Sequence, residues 1–248
     1  MDFTKIYDSE IFYRDDNFEW IDCTHIRGTN CYCDEEAEAE LKGIIKDYLP
    51  YGVHFIDSGN YHYMSKLWTD KIHEPFVLAV FDHHPDMQPS LFGSLMSCGC
   101  WVKKVLDTNP YVKKAVLIGA DDSLLQNIEN KYRDRIVCFS ENNLHDADTW
   151  KKFADIYINA PVYISVDKDV LNTESAVTSW DQGSLTLPEL KSLFSMLLKK
   201  QRIIGIDICG ECADTPQTST GRYGMMLNDT ANDELLHLIE TKKNDEFF

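Results

Sequence analysis

The sequence predicts an α/β fold of three layers, α/β/α, around a mainly parallel central sheet. Three observations carry this expectation. Apolar runs of strand length alternate with stretches of helix length, the pattern of strands joined by helical crossovers. Runs such as Phe76-Val77-Leu78-Ala79-Val80-Phe81 are apolar throughout, as in strands covered on both faces. Polar clusters recur just after these runs, where open α/β sheets place their ligand sites. With 248 residues, 44% of them apolar, the chain can bury a large core, and one domain over 1–248 is expected.

The elements follow in order. An acidic helix is expected over Glu35–Tyr48, with Asp34 at its N-cap and Pro50 beyond its end. Val53–Ile56 reads as a strand leading into Asp57-Ser58-Gly59-Asn60, and Tyr61–Lys71 as a helix. Phe76–Phe81 is a strand and Ser97–Leu106 a helix. Ala115–Gly119 is a strand, Ser123–Asn130 a helix, Ile136–Phe139 a strand and Thr149–Ile156 a helix. Val162–Val166 is a strand. Thr186-Leu187-Pro188-Glu189 starts a helix over Leu187–Lys200, with proline at an early helical position. Ile203–Ile208 is a strand, and a helix over Asn228–Lys242 follows.

A net charge of −17 disfavours nucleic acid or an anionic membrane surface as a partner. No apolar stretch is long enough to span a bilayer. Met1-Asp2-Phe3-Thr4-Lys5 lacks a following apolar region of the kind a secretory leader carries, so the expected compartment is the cytoplasm. The eight cysteines are then expected as free thiols. The lone Cys209-Gly210-Glu211-Cys212 and the close pairs Cys31/Cys33 and Cys98/Cys100 read as packing or site-lining residues instead of zinc ligands.

Chemistry concentrates in two clusters. In Asp82-His83-His84-Pro85-Asp86, alternate residues of an extended chain point to one side. Asp82, His84 and Asp86 therefore converge, and His83 faces away. Asp167-Lys168-Asp169 repeats the arrangement after another strand. Carboxylates gathered this way repel one another and are costly to bury without a cation. A metal is the expected cation. Asp57 and Asp207 also follow or end strands, where helix capping is an equally good reading.

With those residues in view, the chain resembles the ureohydrolases, the arginase–agmatinase–formimidoylglutamase family. Gly59-Asn60-Tyr61-His62, Asp82-His83-His84-Pro85-Asp86 and Ser165-Val166-Asp167-Lys168-Asp169 look like its three metal motifs, in its order. Thr178-Ser179-Trp180-Asp181-Gln182-Gly183-Ser184-Leu185-Thr186 is similar to the segment that follows, and Gly205–Glu211 to the last site strand. The resemblance implies an arginase/deacetylase-like fold and two Mn²⁺ per chain, with Zn²⁺ or another divalent ion as alternatives. One ion would be held by His62, Asp82, Asp86 and Asp167, the other by Asp82, His84, Asp167 and Asp169. It implies a hydrolase of a C–N bond in a linear guanidine or amidine, acting through a hydroxide that bridges the metals. Asp86 would relay the proton. Glu211 would bind the cationic group of a small substrate, and Trp180 and Asp181 would line its pocket. The family is often homo-oligomeric. Two departures stand out. Gly210 occupies the place of the family's substrate-binding Glu, so Glu211 lies one residue late. The segment Ser94–Trp101 lacks the His that arginases use for proton transfer. A Zn-dependent amide deacetylase of the same fold and a catalytically inactive metal-binding member stay open as alternatives.

Overall fold

The computed structural model describes all residues except 15–17, 91, 92, 94, 156–158, 213–218 and 244–248. Among the described residues the strands are β1 (Tyr32–Cys33), β2 (Val53–Ile56), β3 (Phe76–Phe81), β4 (Met96–Ser97), β5 (Val112–Ile118), β6 (Ile136–Phe139), β7 (Val162–Asp167) and β8 (Ile203–Cys209). The helices are α1 (Glu35–Ile44), α2 (Met64–Thr69), α3 (Trp101–Thr108), α4 (Asp122–Gln126), α5 (Glu141–Leu144), α6 (Ala147–Ala154), α7 (Leu187–Lys200) and α8 (Ser219–Lys243). Six strands form one sheet in the order β2-β8-β7-β3-β5-β6, and every neighbouring pair is parallel. This is the expected three-layer α/β/α architecture.

The most apolar strands sit in its middle. Every residue of β3, β7 and β8 is buried. Alternation then sorts their side chains between two cores. Leu78 and Val80 face a core that holds Leu41 of α1, Trp68 of α2 and Trp101 of α3. Val77, Ala79 and Phe81 face another, with Phe153 of α6, Phe194 of α7 and Leu235 of α8. Each fully buried side chain of this size contributes about 1.5–3 kcal/mol relative to exposure. Asp34 caps α1 by accepting from the Ala37 amide at 2.8 Å. Thr186 and Glu189 form a reciprocal capping box at the start of α7.

Several boundaries differ from expectation. The helix expected over Tyr61–Lys71 is a 3₁₀ turn, Gly59–Tyr61, followed by the short α2. The one expected from Ser97 begins as a 3₁₀ turn over Cys98–Cys100 and becomes α3 only at Trp101. The reason is long-range: Met96 and Ser97 pair antiparallel with Cys33 and Tyr32. This β1–β4 ribbon takes part in no local pattern that sequence could show. The helix expected over Ser123–Asn130 shortens to α4, and α6 runs over Ala147–Ala154, with Ile156 outside the described residues. At the other end of the chain, α8 is longer than expected. No helix among the described residues is long and apolar enough to cross a membrane.

Candidate metal centre

The carboxyl ends of β3 and β7 lie side by side in the sheet, and this adjacency joins the two acidic clusters. His62, placed by the turn after β2, points its Nδ1 at three carboxylates. It lies 3.1 Å from Asp82 Oδ2, 3.3 Å from Asp86 Oδ2 and 3.5 Å from Asp167 Oδ2. His84 Nδ1 lies 2.8 Å from Asp169 Oδ2 and 3.6 Å from Asp82 Oδ1. Three triads result, His62/Asp82/Asp86, Asp82/His84/Asp169 and His62/Asp167/Cys209, each with its ligand atoms within 4.8 Å of one another. Asp82 belongs to the first two. Asp167 joins His62 in the third, and accepts from the Asp169 amide at 3.0 Å and from the Cys209 thiol at 3.3 Å. All six residues that sequence proposed as metal ligands are thus brought to one place.

Four carboxylates outnumber two imidazoles in the site. Burial, followed by the neighbouring Asp169 and Asp82 carboxylates, pushes the Asp167 carboxyl up to about 7. Burial and then Asp82 push Asp169 up to about 6. Burial also raises Asp86. Burial alone would lower His84, but the Asp169 and Asp82 carboxylates outweigh it and raise the imidazole to about 11. Without a metal these groups hold protons that they would release in water, as expected where anions crowd in a low dielectric.

Packing fixes the ligand directions. Asp86 adopts a left-handed backbone, φ 50°, a conformation that aspartate tolerates better than most residues. The indole Nε1–H of Trp101 donates to Asp86 Oδ2 at 2.6 Å. His62 Nε2 is 2.8 Å from Ser165 Oγ, and the Ser165 hydroxyl donates to Asp207 Oδ1 at 2.5 Å. With that proton spent on Asp207, Ser165 can only accept from an Nε2–H. Burial opposes the charge on His62, but Cys209 and the Asp82 and Asp86 carboxylates outweigh it and hold the imidazole well above its usual range. Once that proton leaves, Nδ1 presents its lone pair toward the carboxylates, which suits a metal ligand. Sequence alone gives Ser165 no separate role and holds Asp207 evenly between site residue and cap. The signal was there: Ser165 alternates with Asp167 along one strand and pairs in register with Asp207. We expect Ser165→Ala to weaken divalent-ion binding by about 10–100-fold, the usual effect of losing such a support. Chelator competition would measure it, and unchanged affinity would refute the role.

A cavity of about 220 Å³ opens onto this cluster. Its wall beyond the acidic and imidazole groups is neutral, with Tyr32, Gln88, Ser97, Cys98 and Trp180 among the lining residues. Gly59 permits the close approach, because a Cβ there would lie 2.7 Å from Asp167 Oδ2. Cys31 also lines the cavity, whereas Cys33 is buried in the core, and all eight cysteines are free thiols. Trp180 is held by its Nε1–H donating to Asn60 Oδ1 at 2.9 Å. Asp181 is exposed and is not among the lining residues.

Glu211 is the expectation that the geometry does not meet. At Gly210 the backbone turns with φ 97°, and the amides of Gly210 and Glu211 both donate to the Asp57 carbonyl, at 3.1 and 3.2 Å. That turn sends the Glu211 carboxylate away from the cavity into an ion pair with Lys168, both side chains being buried. Asn232 Nδ2 also donates to it at 2.8 Å. Asp57 is structural as well: its carboxylate accepts the amides of Phe3 and Thr4, each at 2.8 Å.

A parallel three-layer sheet with imidazoles and carboxylates converging at two central strand ends defines a class of metal-site α/β proteins. Within that class the chain belongs to the arginase family, whose model matches residues 52–222. An uncharacterized protein of Thermotoga maritima is 30% identical over 211 residues, which cover 85% of this chain and 78% of that one. Two solved structures share the fold at low identity. The agmatine ureohydrolase of Thermoplasma volcanium has a TM-score of 0.63 and 18% identity, over 84% of this chain and 69% of its own. Arginase from Bacillus cereus has a TM-score of 0.57 and 16% identity, over 80% and 75%.

Proposed function

We propose that the chain is a binuclear metal hydrolase of a C–N bond in a linear guanidine or amidine. The observation that carries this reading is the pair of triads sharing Asp82. In the proposal, His62, Asp82, Asp86 and Asp167 hold one divalent ion, and Asp82, His84, Asp167 and Asp169 the other. The charges balance, since four carboxylates match two divalent ions. Oxygen-rich ligation with only two imidazoles favours Mn²⁺ over Zn²⁺. Bound there, the ions would lower the pKa of water and supply a nucleophile at neutral pH.

The chain's own groups do the rest. The Asp86 carboxylate, oriented by the Trp101 N–H, takes the proton of the attacking water. It returns that proton to the leaving nitrogen as the C–N bond breaks. His62 is kept in one tautomer by Ser165 and Asp207. Tyr32 and Trp180 offer aromatic surface to a planar cation, and the small cavity limits the substrate to a small molecule. With Glu211 engaged by Lys168, no carboxylate beyond the ligand set is assigned to the cationic group.

The test is release by the Mn²⁺-loaded chain of urea from arginine, agmatine, a guanidino acid and an alkylguanidine, and of formamide from a formimidoyl amino acid. Metal-dependent release from at least one is expected. Full metal loading with no release from any would overturn the catalytic reading and leave a metal-binding family member without turnover.

A further inference from the structure

We propose a second, separate metal site at the carboxyl ends of β3, β5 and β6, formed by His83, Asp121 and Glu141. One ligand atom from each lies within 4.8 Å of the others. The three come from three neighbouring strand ends, and backbone hydrogen bonds lock those ends together. The Asp121 amide donates to the His83 carbonyl at 3.0 Å, and the Glu141 amide to the Ala120 carbonyl at 3.0 Å. Gly119 donates to Phe139 at 2.8 Å. Amides of Ser123 and Leu124 hold Asp121 Oδ1, at 2.8 and 3.0 Å, which orients that carboxylate.

The imidazole supplies the argument for an ion. His83 Nδ1 is buried and has no hydrogen-bond partner. Its nearest carboxylate oxygen, Glu141 Oε2, is 3.6 Å away, beyond hydrogen-bond length. Gly183 packs close by, where a Cβ would meet the Val170 carbonyl at 2.7 Å and Nδ1 at 3.2 Å. The side chains of His83 and Glu141 remain 13% and 21% exposed, which leaves a path for an ion to enter. One imidazole nitrogen and two carboxylates suit a first-row divalent cation with water completing its shell.

This site does not belong to the first. The His83 ring meets that of His84 edge-on, centroids 5.2 Å apart, but His83 is absent from the lining of the 220 Å³ cavity and its ligand group shares no residue with the first site. The two are nonetheless mechanically joined, because the His83 amide donates to Asp169 Oδ1 at 2.9 Å. An ion on His83 would brace the segment that carries His84 and Asp86.

Metal counting tests the proposal. The full chain is dialysed against Mn²⁺ and, separately, Zn²⁺, and ions per chain are measured by mass spectrometry of the digested protein. Glu141→Gln is expected to hold one ion fewer than wild type. Asp121→Asn, which preserves the helix cap, is expected to show the same loss, so a folding defect in one variant leaves the other as the test. The Asp167→Ala chain should keep this one ion, and the ion should raise its melting temperature. The double variant Asp167→Ala/Glu141→Gln should show no such rise. Equal metal content in wild type, Glu141→Gln and Asp121→Asn would overturn the site and leave a His83–Glu141 ion pair. If Asp167→Ala held as many ions as wild type while Glu141→Gln lost one, the binuclear reading would fail and this site would stand.

Discussion

Replacing Asp167 with alanine is expected to abolish hydrolysis and to empty the proposed binuclear centre. Asp167 lies 3.5 Å from His62 and is proposed to serve both ions. Alanine removes that donor and strands two more groups, the Asp169 amide and the Cys209 thiol. Metal counting and product release should fall together; a variant that keeps both ions of that centre would refute the assignment. The metal-free proteins provide an independent reading. Folded Asp167 holds its proton up to about 7, whereas an unfolded aspartate releases it near 4. Across that interval the folded chain binds more protons, so metal-free stability falls as pH rises. Asp167→Asn removes this contribution, and its stability should decline less steeply between about pH 4 and 7. Loading wild type with Mn²⁺ should flatten the decline too. Denaturant midpoints across that range would show identical slopes if the carboxyl were not so perturbed.

Lys168→Met is expected to cost about 3–5 kcal/mol, the penalty for breaking a buried ion pair from one side. Lys168 is fully buried and bonds Glu211 and Asn232 Oδ1, the latter at 2.9 Å. Asn232 in turn donates to Glu10 at 3.1 Å. Burial, and then repulsion from Glu211, pushes Glu10 up to about 10, which leaves it a neutral acid at pH 7. Lys168 is thus the cation on which the Glu211 charge depends. Urea denaturation should show the loss, and Lys168→Met/Glu211→Gln should recover much of it. A change below about 0.5 kcal/mol, the range of ordinary surface substitutions, would show that the pair is not needed. Because Lys168 sits between Asp167 and Asp169, weaker metal retention should accompany the lost stability.

Much of this was legible in sequence because it depends on short-range regularity. A continuous apolar run announced β3, and apolar-rich runs announced β7 and β8. Asp82, His84 and Asp86 line one cavity that His83 does not, but by another route than the expected extended chain: the backbone bends at His83 and His84 and is left-handed at Asp86. The rest depends on contacts between distant residues. Neither Tyr32 nor Cys98 carries a local sign that it faces the cavity, since both are put there by the β1–β4 pairing. His62 follows a 3₁₀ turn with no amphipathic pattern, and only the order of motifs singled it out. Glu211 was misplaced because one glycine decides its direction. The left-handed turn at Gly210, pinned to the Asp57 carbonyl, is a tertiary fact.

The β1–β4 ribbon has a consequence of its own. The groups that would perform chemistry stand at the sheet's strand ends and in the turns that follow them, while the neutral wall above them comes from a separate two-stranded piece and adjoining loops. Floor and roof nonetheless meet at one point, because β4 runs through the Cys98–Cys100 turn into Trp101, whose N–H holds Asp86. An exchange at Ser97 or Cys98 therefore reaches Asp86 as well as the wall, whereas one at Tyr32 acts from the opposite strand of the ribbon.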